Sequence, residues 1–379
     1  MIYLDNGATS FHKPAAVYEA VLNAMHRCAN PGRGGYPAAE EASRILFACR
    51  EAASTLFDCL PEQVVLTGNC THGLNIAIHS LIKPGSRVVV TGFEHNAVVR
   101  PLYALGVRLT VAGRKLFDWE DTLREFEKAL DMGQDAAVFT HVSNVFGYIL
   151  PVEEMARMCR ERNVPFILDA AQSAGSLPVK LKGLGAEFIA MPGHKGLLGP
   201  QGTGLLLCAH GGEPLLRGGT GSASLSREMP ADLPERLEAG TMNVPGYAGL
   251  TAGMEYLIKR GTDSVFQREH RQLLRCVSGL RKQGWKVFVG AHQAATLSFL
   301  PDMDCEEAAA ILAGKGIALR AGLHCAPLAH ESAGTLETGS VRISFGHMST
   351  DAETDRLLRA AAELKAAKTG SPGSYHGET

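Results

Sequence analysis

The sequence has no uninterrupted apolar run long enough to span a bilayer. Its first residues, Met1 to Asn6, also lack the basic region, apolar stretch and small-residue cleavage site of a secretory signal. Both absences argue against a membrane or secreted protein, and we expect it to be cytoplasmic. A chain of 379 residues, 45% of them hydrophobic, is long enough for two or three domains around a large core.

An excess of charge of either sign is also missing. Lys and Arg total 37 against 39 Asp and Glu, so the formal net charge is -2. No Lys-rich or Arg-rich run is present that could neutralise a phosphate backbone, which argues against nucleic acid as a partner. The nine cysteines form no Cys-x-x-Cys pair, so we expect neither a metal site nor a disulfide framework.

Short apolar runs alternate with helix-like stretches from about residue 15 to residue 249. Runs that are apolar throughout are typical of strands covered on both faces, which favours an α/β fold with a mostly parallel sheet flanked by helices. The predicted strands are residues 64–67, 87–90, 136–139, 165–168 and 187–190.

The order of predicted helices and strands changes after Gly249, and the new pattern predicts a smaller α+β domain. Predicted helices cover residues 252–259, 263–283, 305–315 and 350–367, with strands at 286–289, 295–299 and 340–345. We therefore predict a large domain of residues 15–249 and a small domain of residues 1–14 and 250–367. Residues 368–379 have little to bury and are predicted to be disordered.

Polar residues that follow the predicted strands are the candidates for a binding site, because ligands of parallel sheets lie beyond the carboxyl ends of the strands. Residues 68–73 follow the first strand and open a helix, so they can form an anion site or an ordinary helix cap. Asp169 and Lys195 follow two neighbouring strands, where burial is costly unless the groups are paired or used. They predict either a structural ion pair or a Schiff-base lysine with a partner for a pyridinium nitrogen.

Five strings of residues resemble the class V aminotransferase family of fold-type I pyridoxal phosphate (PLP) enzymes. They are LDNGAT at 4–9, EHN at 94–96, HVSNVFG at 141–147, DAAQ at 169–172 and GHKGLLGPQG at 193–202. Within that family, RAGLHCA at 320–326 and SVRIS at 340–344 are similar to the cysteine desulfurase and selenocysteine lyase branch. The resemblance covers nearly the whole chain, in the family's order.

The resemblance implies a role for each residue around the cofactor ring. Lys195 would hold PLP covalently and then act as the base at the substrate α-carbon, since burial lowers a lysine pKa. Asp169 would keep the pyridine nitrogen protonated. Gln172 and Asn144 would hydrogen-bond the ring oxygen or the substrate, and His95 would stack on the ring and handle the substrate's thiol proton.

The phosphate of PLP would be bound by His194, by Thr71 and by the amide of Cys70. Many relatives have a serine where this chain has Pro192, which offers neither a hydroxyl nor an N–H. Thr241 is a candidate for the missing contact, because the family supplies a threonine here from the neighbouring subunit of a homodimer. An ordinary surface-loop threonine is the alternative.

The resemblance places the substrate between two arginines and a cysteine. Arg342 lies in an apolar strand and would pair with the substrate carboxylate, unless a protein carboxylate pairs with it instead. Arg320 would position the cysteine loop or border the substrate. Cys325 lies in a loop segment without helical period, and the adjacent His324 and Arg320 can favour a thiolate.

The activity implied by the resemblance is that of a cysteine desulfurase. L-cysteine would become L-alanine, and Cys325 would carry the sulfur as a persulfide to a thiol or an acceptor protein for iron-sulfur cluster or cofactor assembly. A selenocysteine lyase, another class V lyase or aminotransferase, and a sulfur-carrier scaffold that binds PLP weakly remain alternatives.

Overall fold

The computed structural model describes residues 1–32, 34–222 and 224–369, with the side chains of 367–369 outside that description. The α-helices of these ranges are α1 (Ala15–Arg27), α2 (Pro37–Phe57), α3 (Cys70–Leu81), α4 (Asn96–Ala104), α5 (Trp119–Asp131), α6 (Val152–Glu161), α7 (Leu181–Leu184), α8 (Val244–Arg260), α9 (Thr262–Lys282), α10 (Cys305–Gly314), α11 (Pro327–Ala333) and α12 (Asp351–Thr369). Short 3-10 helices span Pro61–Gln63 and Glu235–Leu237.

The strands form one large sheet and two smaller ones. They are β1 (Ile2–Tyr3), β2 (Val64–Thr67), β3 (Arg87–Thr91), β4 (Arg108–Ala112), β5 (Ala136–Thr140), β6 (Phe166–Asp169), β7 (Phe188–Pro192), β8 (Gly204–Cys208), β9 (Lys286–Phe288), β10 (Thr296–Leu300), β11 (Ile317–Ala318), β12 (Arg320–Gly322) and β13 (Ser340–Ser344).

The large sheet has the strand order β2-β8-β7-β6-β5-β3-β4. All its pairings are parallel except those of β8 with its two neighbours β7 and β2. This arrangement confirms the predicted α/β fold with a mostly parallel sheet. Strands β4 and β8 were not among the predicted ones.

The apolar strands of this sheet are covered on both faces, as their sequence predicts. Val64 and Leu66 of β2 belong to the same core cluster as Leu46 of α2. Val65, which points to the opposite face, belongs to a second cluster with Leu74 of α3. Burial on both sides explains why these strands lack the apolar-polar alternation of half-exposed sheets.

The C-terminal region builds a separate antiparallel sheet with the order β12-β13-β10-β9, packed around a third core cluster. The chain's first strand joins this region, because β1 pairs in parallel with β11 and Asp5 bridges to Ser344. The predicted domain boundary at residue 249 falls inside helix α8. The predicted disordered tail starts at residue 368, whereas α12 continues to Thr369 and residues 370–379 lie outside the described part of the chain.

Candidate active site

A cavity of about 380 Å³ lies at the carboxyl ends of the parallel strands, between the large sheet and the C-terminal sheet. Eleven of the twelve predicted site residues line it. They are Cys70, Thr71, His95, Asn144, Asp169, Gln172, His194, Lys195, Arg320, Cys325 and Arg342. Cys70 and Arg342, 272 positions apart in the sequence, thus line the same cavity.

Asp169 and Lys195 extend from two strands that pair in parallel, β6 and β7. Burial lowers the pKa of the Lys195 amine, while the nearby Cys70 and Asp169 oppose that effect. Burial likewise raises the pKa of the Asp169 carboxyl, which the amide of Ala171 and the charge of Lys195 counteract. The two groups therefore sit in a desolvated setting in which each favours the charged form of the other.

The two oxygens of Asp169 have different surroundings. Oδ1 accepts a hydrogen bond of 2.9 Å from the amide of Ala171 and one of 3.6 Å from the thiol of Cys70. Burial raises the pKa of the Cys70 thiol well above its usual value, so this group stays protonated and can donate. Because the protein supplies donors to Oδ1, the carboxylate is oriented and Oδ2 is left for a ligand in the cavity.

The start of α3 forms one end of the cavity. Asn69 caps this helix by accepting a hydrogen bond of 2.9 Å from the amide of His72. Cys70 and Thr71 are the first two helical residues, and their amides belong to the positive end of the helix dipole. This end of the cavity suits an anion such as a phosphate.

His194 lies beside the same end of the cavity. Its Nδ1 is 3.1 Å from the hydroxyl of Thr9, and its backbone oxygen accepts from the amide of Ser10 at 2.8 Å. Burial, with smaller effects from Lys195 and Lys13, lowers the pKa of His194 to about 4. The imidazole is therefore neutral near pH 7, and it offers a hydrogen bond rather than a charge.

Thr241 does not line this cavity. It lies in a different cavity of about 620 Å³ with Arg50, Glu238 and Gly219. Its predicted role is to complete the site of a neighbouring subunit, so a position outside the chain's own cavity agrees with that role without testing it.

His95 caps α4 and is oriented by that role. Its Nδ1 accepts a hydrogen bond of 3.0 Å from the amide of Ala97. Burial is the main cause that lowers the pKa of His95 to about 4, with Lys195 and Arg342 adding to it. A neutral ring that accepts at Nδ1 carries its proton on Nε2, so the nitrogen that is left for a ligand is a donor.

Arg342 is 3% exposed and already has a protein partner, as one of the two sequence interpretations required. Its Nη2 is 2.8 Å from Oδ1 of Asp5, and its Nη1 donates to the backbone oxygen of Asn144 at 3.0 Å. Its Nε is buried without a hydrogen-bond partner. Asp5 also pairs with Arg320 at 2.9 Å, so one carboxylate is shared between two guanidinium groups.

This shared carboxylate bears on the predicted substrate site. Two positive charges meet one negative charge, which leaves the site with a net positive charge and an unused donor on Arg342. Asp5 was not among the predicted site residues, although it belongs to the string at 4–9. An incoming carboxylate would complete this cluster.

Cys325 is the one exposed cysteine among the described residues, where seven others are buried and Cys28 is half-buried. It follows β12 and precedes α11, in a turn where His324 and Cys325 have φ angles of 50° and 57°. Two successive non-glycine residues in the left-handed region are unusual and are retained only where neighbouring contacts impose them.

Two hydrogen bonds impose this turn. The side-chain amide of Asn144 donates to the backbone oxygen of His324 at 2.8 Å, and the amide of Asn96 donates to the backbone oxygen of Cys325 at 2.7 Å. Burial lowers the pKa of His324 to about 3, so its ring is neutral. A neutral His324 would act on the Cys325 sulfur through a hydrogen bond rather than through charge, and the cation beside that sulfur is Arg320.

The residues present fit PLP. Gln172 is held in place by a hydrogen bond of 3.0 Å from Nε2 to the backbone oxygen of Gly7. Oδ1 of Asn144 and Nε of Arg342 are both buried and lack a hydrogen-bond partner in the protein. The first is an acceptor and the second a donor, and a bound ligand could pair with both. A ring hydroxyl and a carboxylate are the groups that would satisfy them, beside an amine at Lys195 and an acid at Asp169.

A metal centre and a membrane-spanning helix are both absent from the described ranges. No group of three or more His, Cys, Asp or Glu side chains there is arranged to hold a metal ion. Within the same ranges, no helix is both long and apolar enough to cross a membrane.

A family model described as aminotransferase class-V matches residues 2–357. The chain belongs to this family, whose members use PLP. Among curated proteins, it is 31% identical to a probable cysteine desulfurase of Methanothermobacter thermautotrophicus, with 96% of this chain and 94% of the relative covered. A probable cysteine desulfurase of Pyrococcus abyssi is 32% identical, with the same coverage of both chains.

Among solved structures, the chain is similar to the apo structure of a cysteine desulfurase from Thermococcus onnurineus. The TM-score is 0.89 at 30% sequence identity, and the match covers 97% of this chain and 95% of the other. The fold and the order of its elements are therefore those of a class V enzyme along nearly the full length.

Proposed function

We propose that this protein is a PLP-dependent cysteine desulfurase that converts L-cysteine to L-alanine and holds the sulfur as a persulfide on Cys325. The observation that carries this proposal is the location of Cys325. It is exposed, it is fixed by two hydrogen bonds, and it lines the same cavity as the buried Lys195 and Arg342. The names of the similar proteins support the same activity.

PLP, when bound, supplies an electron sink that stabilises negative charge at the substrate α-carbon. Lys195 would hold the cofactor and, once released, move the α-carbon proton, a task for which a desolvated amine is suited. Asp169 would hold the proton of the pyridine nitrogen. Gln172 and Asn144 would orient the ring oxygen or the substrate.

The substrate would be held by charge and by hydrogen bonds. Arg342 would bind its α-carboxylate through the nitrogen that has no protein partner, and Arg320 would border the same anion. His95 would donate a hydrogen bond from Nε2–H to the substrate sulfur, and it would take the thiol proton at Nε2 only after giving up its own. Thr71, His194 and the amide of Cys70 would bind the cofactor phosphate.

Cys325 would then take the sulfur. Its thiolate forms a sulfur-sulfur bond with the substrate as the carbon-sulfur bond breaks, and a proton completes the methyl group of alanine. The persulfide would pass to a thiol or an acceptor protein, as in iron-sulfur cluster assembly. An exposed position suits such a transfer, since the acceptor must reach the sulfur.

The enzyme acts as a cytoplasmic homodimer in which Thr241 completes the phosphate site of the neighbouring subunit and replaces the contact that Pro192 cannot make. Residues 15–249 form the PLP-binding domain, and residues 1–14 and 250–367 form the domain that carries the cysteine loop.

An assay of products tests this function and separates it from its alternatives. Purified protein with PLP is given L-cysteine or L-selenocysteine, with and without a reductant, and alanine and sulfide or selenide are measured. Alanine from cysteine that needs Cys325 supports a desulfurase, and Cys28→Ala serves as the control variant. Turnover of selenocysteine alone would indicate a selenocysteine lyase, and alanine formation from neither would indicate another class V activity.

A further inference from the structure

Glu238 lies outside the cavity of Lys195, yet its side chain is only 8% exposed. Its Oε2 accepts a hydrogen bond of 2.5 Å from Nη2 of Arg50, and its Oε1 accepts one of 2.6 Å from the amide of Leu66. Arg50 in turn donates from Nε to the backbone oxygen of Val64 at 3.2 Å. Because β2 is an edge strand, this ion pair satisfies outward-facing backbone groups that have no neighbouring strand.

Tyr247 makes a second connection to the same strand. Its hydroxyl donates to the backbone oxygen of Thr67 at 2.9 Å, and its side chain is buried. Glu238 and Tyr247 are thus bound to the last two residues of β2, directly before the turn that leads to Thr71. Thr241 lies in the irregular segment between them, so the base of that segment is fixed on both sides.

We propose that Glu238 and Tyr247 are positioning residues for the phosphate of PLP, acting through Thr241. The inference rests on the proposed function and on the proposed phosphate role of Thr241. A hydroxyl contributes to a phosphate site only if its backbone is held close to the required position. Fixing the segment to the end of β2 attaches two phosphate contacts to one rigid strand: Thr71, which serves the chain's own cofactor, and Thr241, which serves the cofactor of the neighbouring subunit.

The use of a buried ion pair supports a positioning role. Two buried charges stabilise a fold weakly in comparison with apolar residues of similar size, but they impose one geometry, because each hydrogen bond has a direction. Glu238 uses both of its carboxylate oxygens, one for a side chain of α2 and one for the backbone of β2. That arrangement fixes the start of the Thr241 segment in direction as well as in distance.

The test compares PLP with pyridoxal, which lacks the phosphate. Apo protein is titrated with each compound, and the dissociation constants are measured by cofactor absorbance for Glu238→Gln, Tyr247→Phe and Thr241→Ala. We expect PLP to bind on the order of 10-fold more weakly to Glu238→Gln and about 3-fold more weakly to Tyr247→Phe, with pyridoxal unchanged. Glu161→Gln, which removes an exposed ion pair with Arg157, is the control.

A double variant completes the test. Glu238→Gln combined with Thr241→Ala should bind PLP no more weakly than the weaker single variant, because both changes remove the same contact. Additive losses, or equal weakening of PLP and pyridoxal, would overturn the inference and leave Glu238 as a purely structural residue. If Glu238→Gln does not fold, the dissociation constants of PLP and pyridoxal are compared for Tyr247→Phe instead. A wild-type protein that takes up no PLP would instead overturn the proposed function.

Discussion

The amide of Asn96 donates a hydrogen bond of 2.7 Å to the backbone oxygen of Cys325. Asn96 directly follows His95, whose ring caps the same helix. The contact therefore joins the exposed thiol on the cysteine loop to the segment that carries the imidazole. With the second hydrogen bond, from Asn144 to His324, it explains how a turn with two left-handed residues is kept in one conformation.

The first prediction concerns this turn. Asn144→Ala removes the hydrogen bond to His324, so the strained turn should relax and Cys325 should leave its position. We expect kcat for cysteine to fall at least about 10-fold, as for the loss of one hydrogen bond to a constrained group, and the rate of Cys325 alkylation to change. Asn23→Ala on the exposed face of α1 is the control. An unchanged alkylation rate would show that the turn does not depend on Asn144.

The second prediction concerns the substrate carboxylate. Arg342→Ala should raise KM for cysteine by roughly 10- to 100-fold, since charge-assisted contacts contribute about 1.5 to 3 kcal/mol, while PLP stays bound. Steady-state kinetics and the absorbance of bound cofactor check both parts. Arg124→Ala, which removes an exposed guanidinium of α5, should change neither. If kcat/KM is unchanged in Arg342→Ala, Arg320 or another group binds the carboxylate.

The third prediction concerns the cofactor link. The wild-type protein should be yellow with PLP, and Lys195→Ala should lose the covalent link because it lacks the only amine lining the described cavity. Borohydride reduction followed by peptide mass analysis measures the link directly. Lys182→Ala, on the surface, is the control. A wild-type spectrum without cofactor absorbance after PLP is added would contradict the assignment of Lys195.

The fourth prediction concerns pH. Burial lowers the pKa of His141 to about 4, and this ring is 3% exposed with Nδ1 unpartnered. The unfolded chain, with a histidine pKa of about 6.5, takes up the proton first as the pH falls. The contribution of His141 to stability is therefore complete above pH 6.5 and is lost as the pH falls toward 4.

Urea unfolding between pH 7 and pH 5 measures that contribution. The free energy of unfolding should fall with pH, and His141→Asn should make the slope shallower by up to about 1.4 kcal/mol per pH unit. Other buried histidines add their own shares, so a slope remains. His26→Asn, at an exposed position of α1, is the control. An equal slope in both variants would mean that His141 is protonated in the folded protein.

The sequence predicted the central strands because each is apolar throughout, which follows from coverage on both faces of the sheet. It missed β4, whose Arg108 and Leu109 are exposed at the sheet edge and whose pattern is therefore less apolar. It missed β8 because periodicity alone does not separate a short apolar run from a helix segment. Helix α8 begins at Val244, eight residues before the start predicted at residue 252.

The candidate site was predictable where each residue follows a strand or belongs to a family string. The role of Asp5 could not be predicted, because it depends on a contact with Arg342, which lies 337 positions further along the chain. The pairing of β1 with β11 brings them together, and two-residue strands leave too little pattern to be read in advance. The neutral state of His324 also could not be predicted from the sequence, because it follows from the burial of the ring.

The persulfide on Cys325 is the central claim, and mass spectrometry of the protein after reaction with L-cysteine tests it most directly. We expect the peptide that contains Cys325 to gain one sulfur atom, with no such gain at the half-buried Cys28. Alkylation of Cys325 before substrate is added should block the gain, and Cys325→Ala should bind PLP while its release of alanine collapses. If Cys325→Ala releases alanine from cysteine at the wild-type rate and no sulfur is found on the wild-type peptide, the account is wrong.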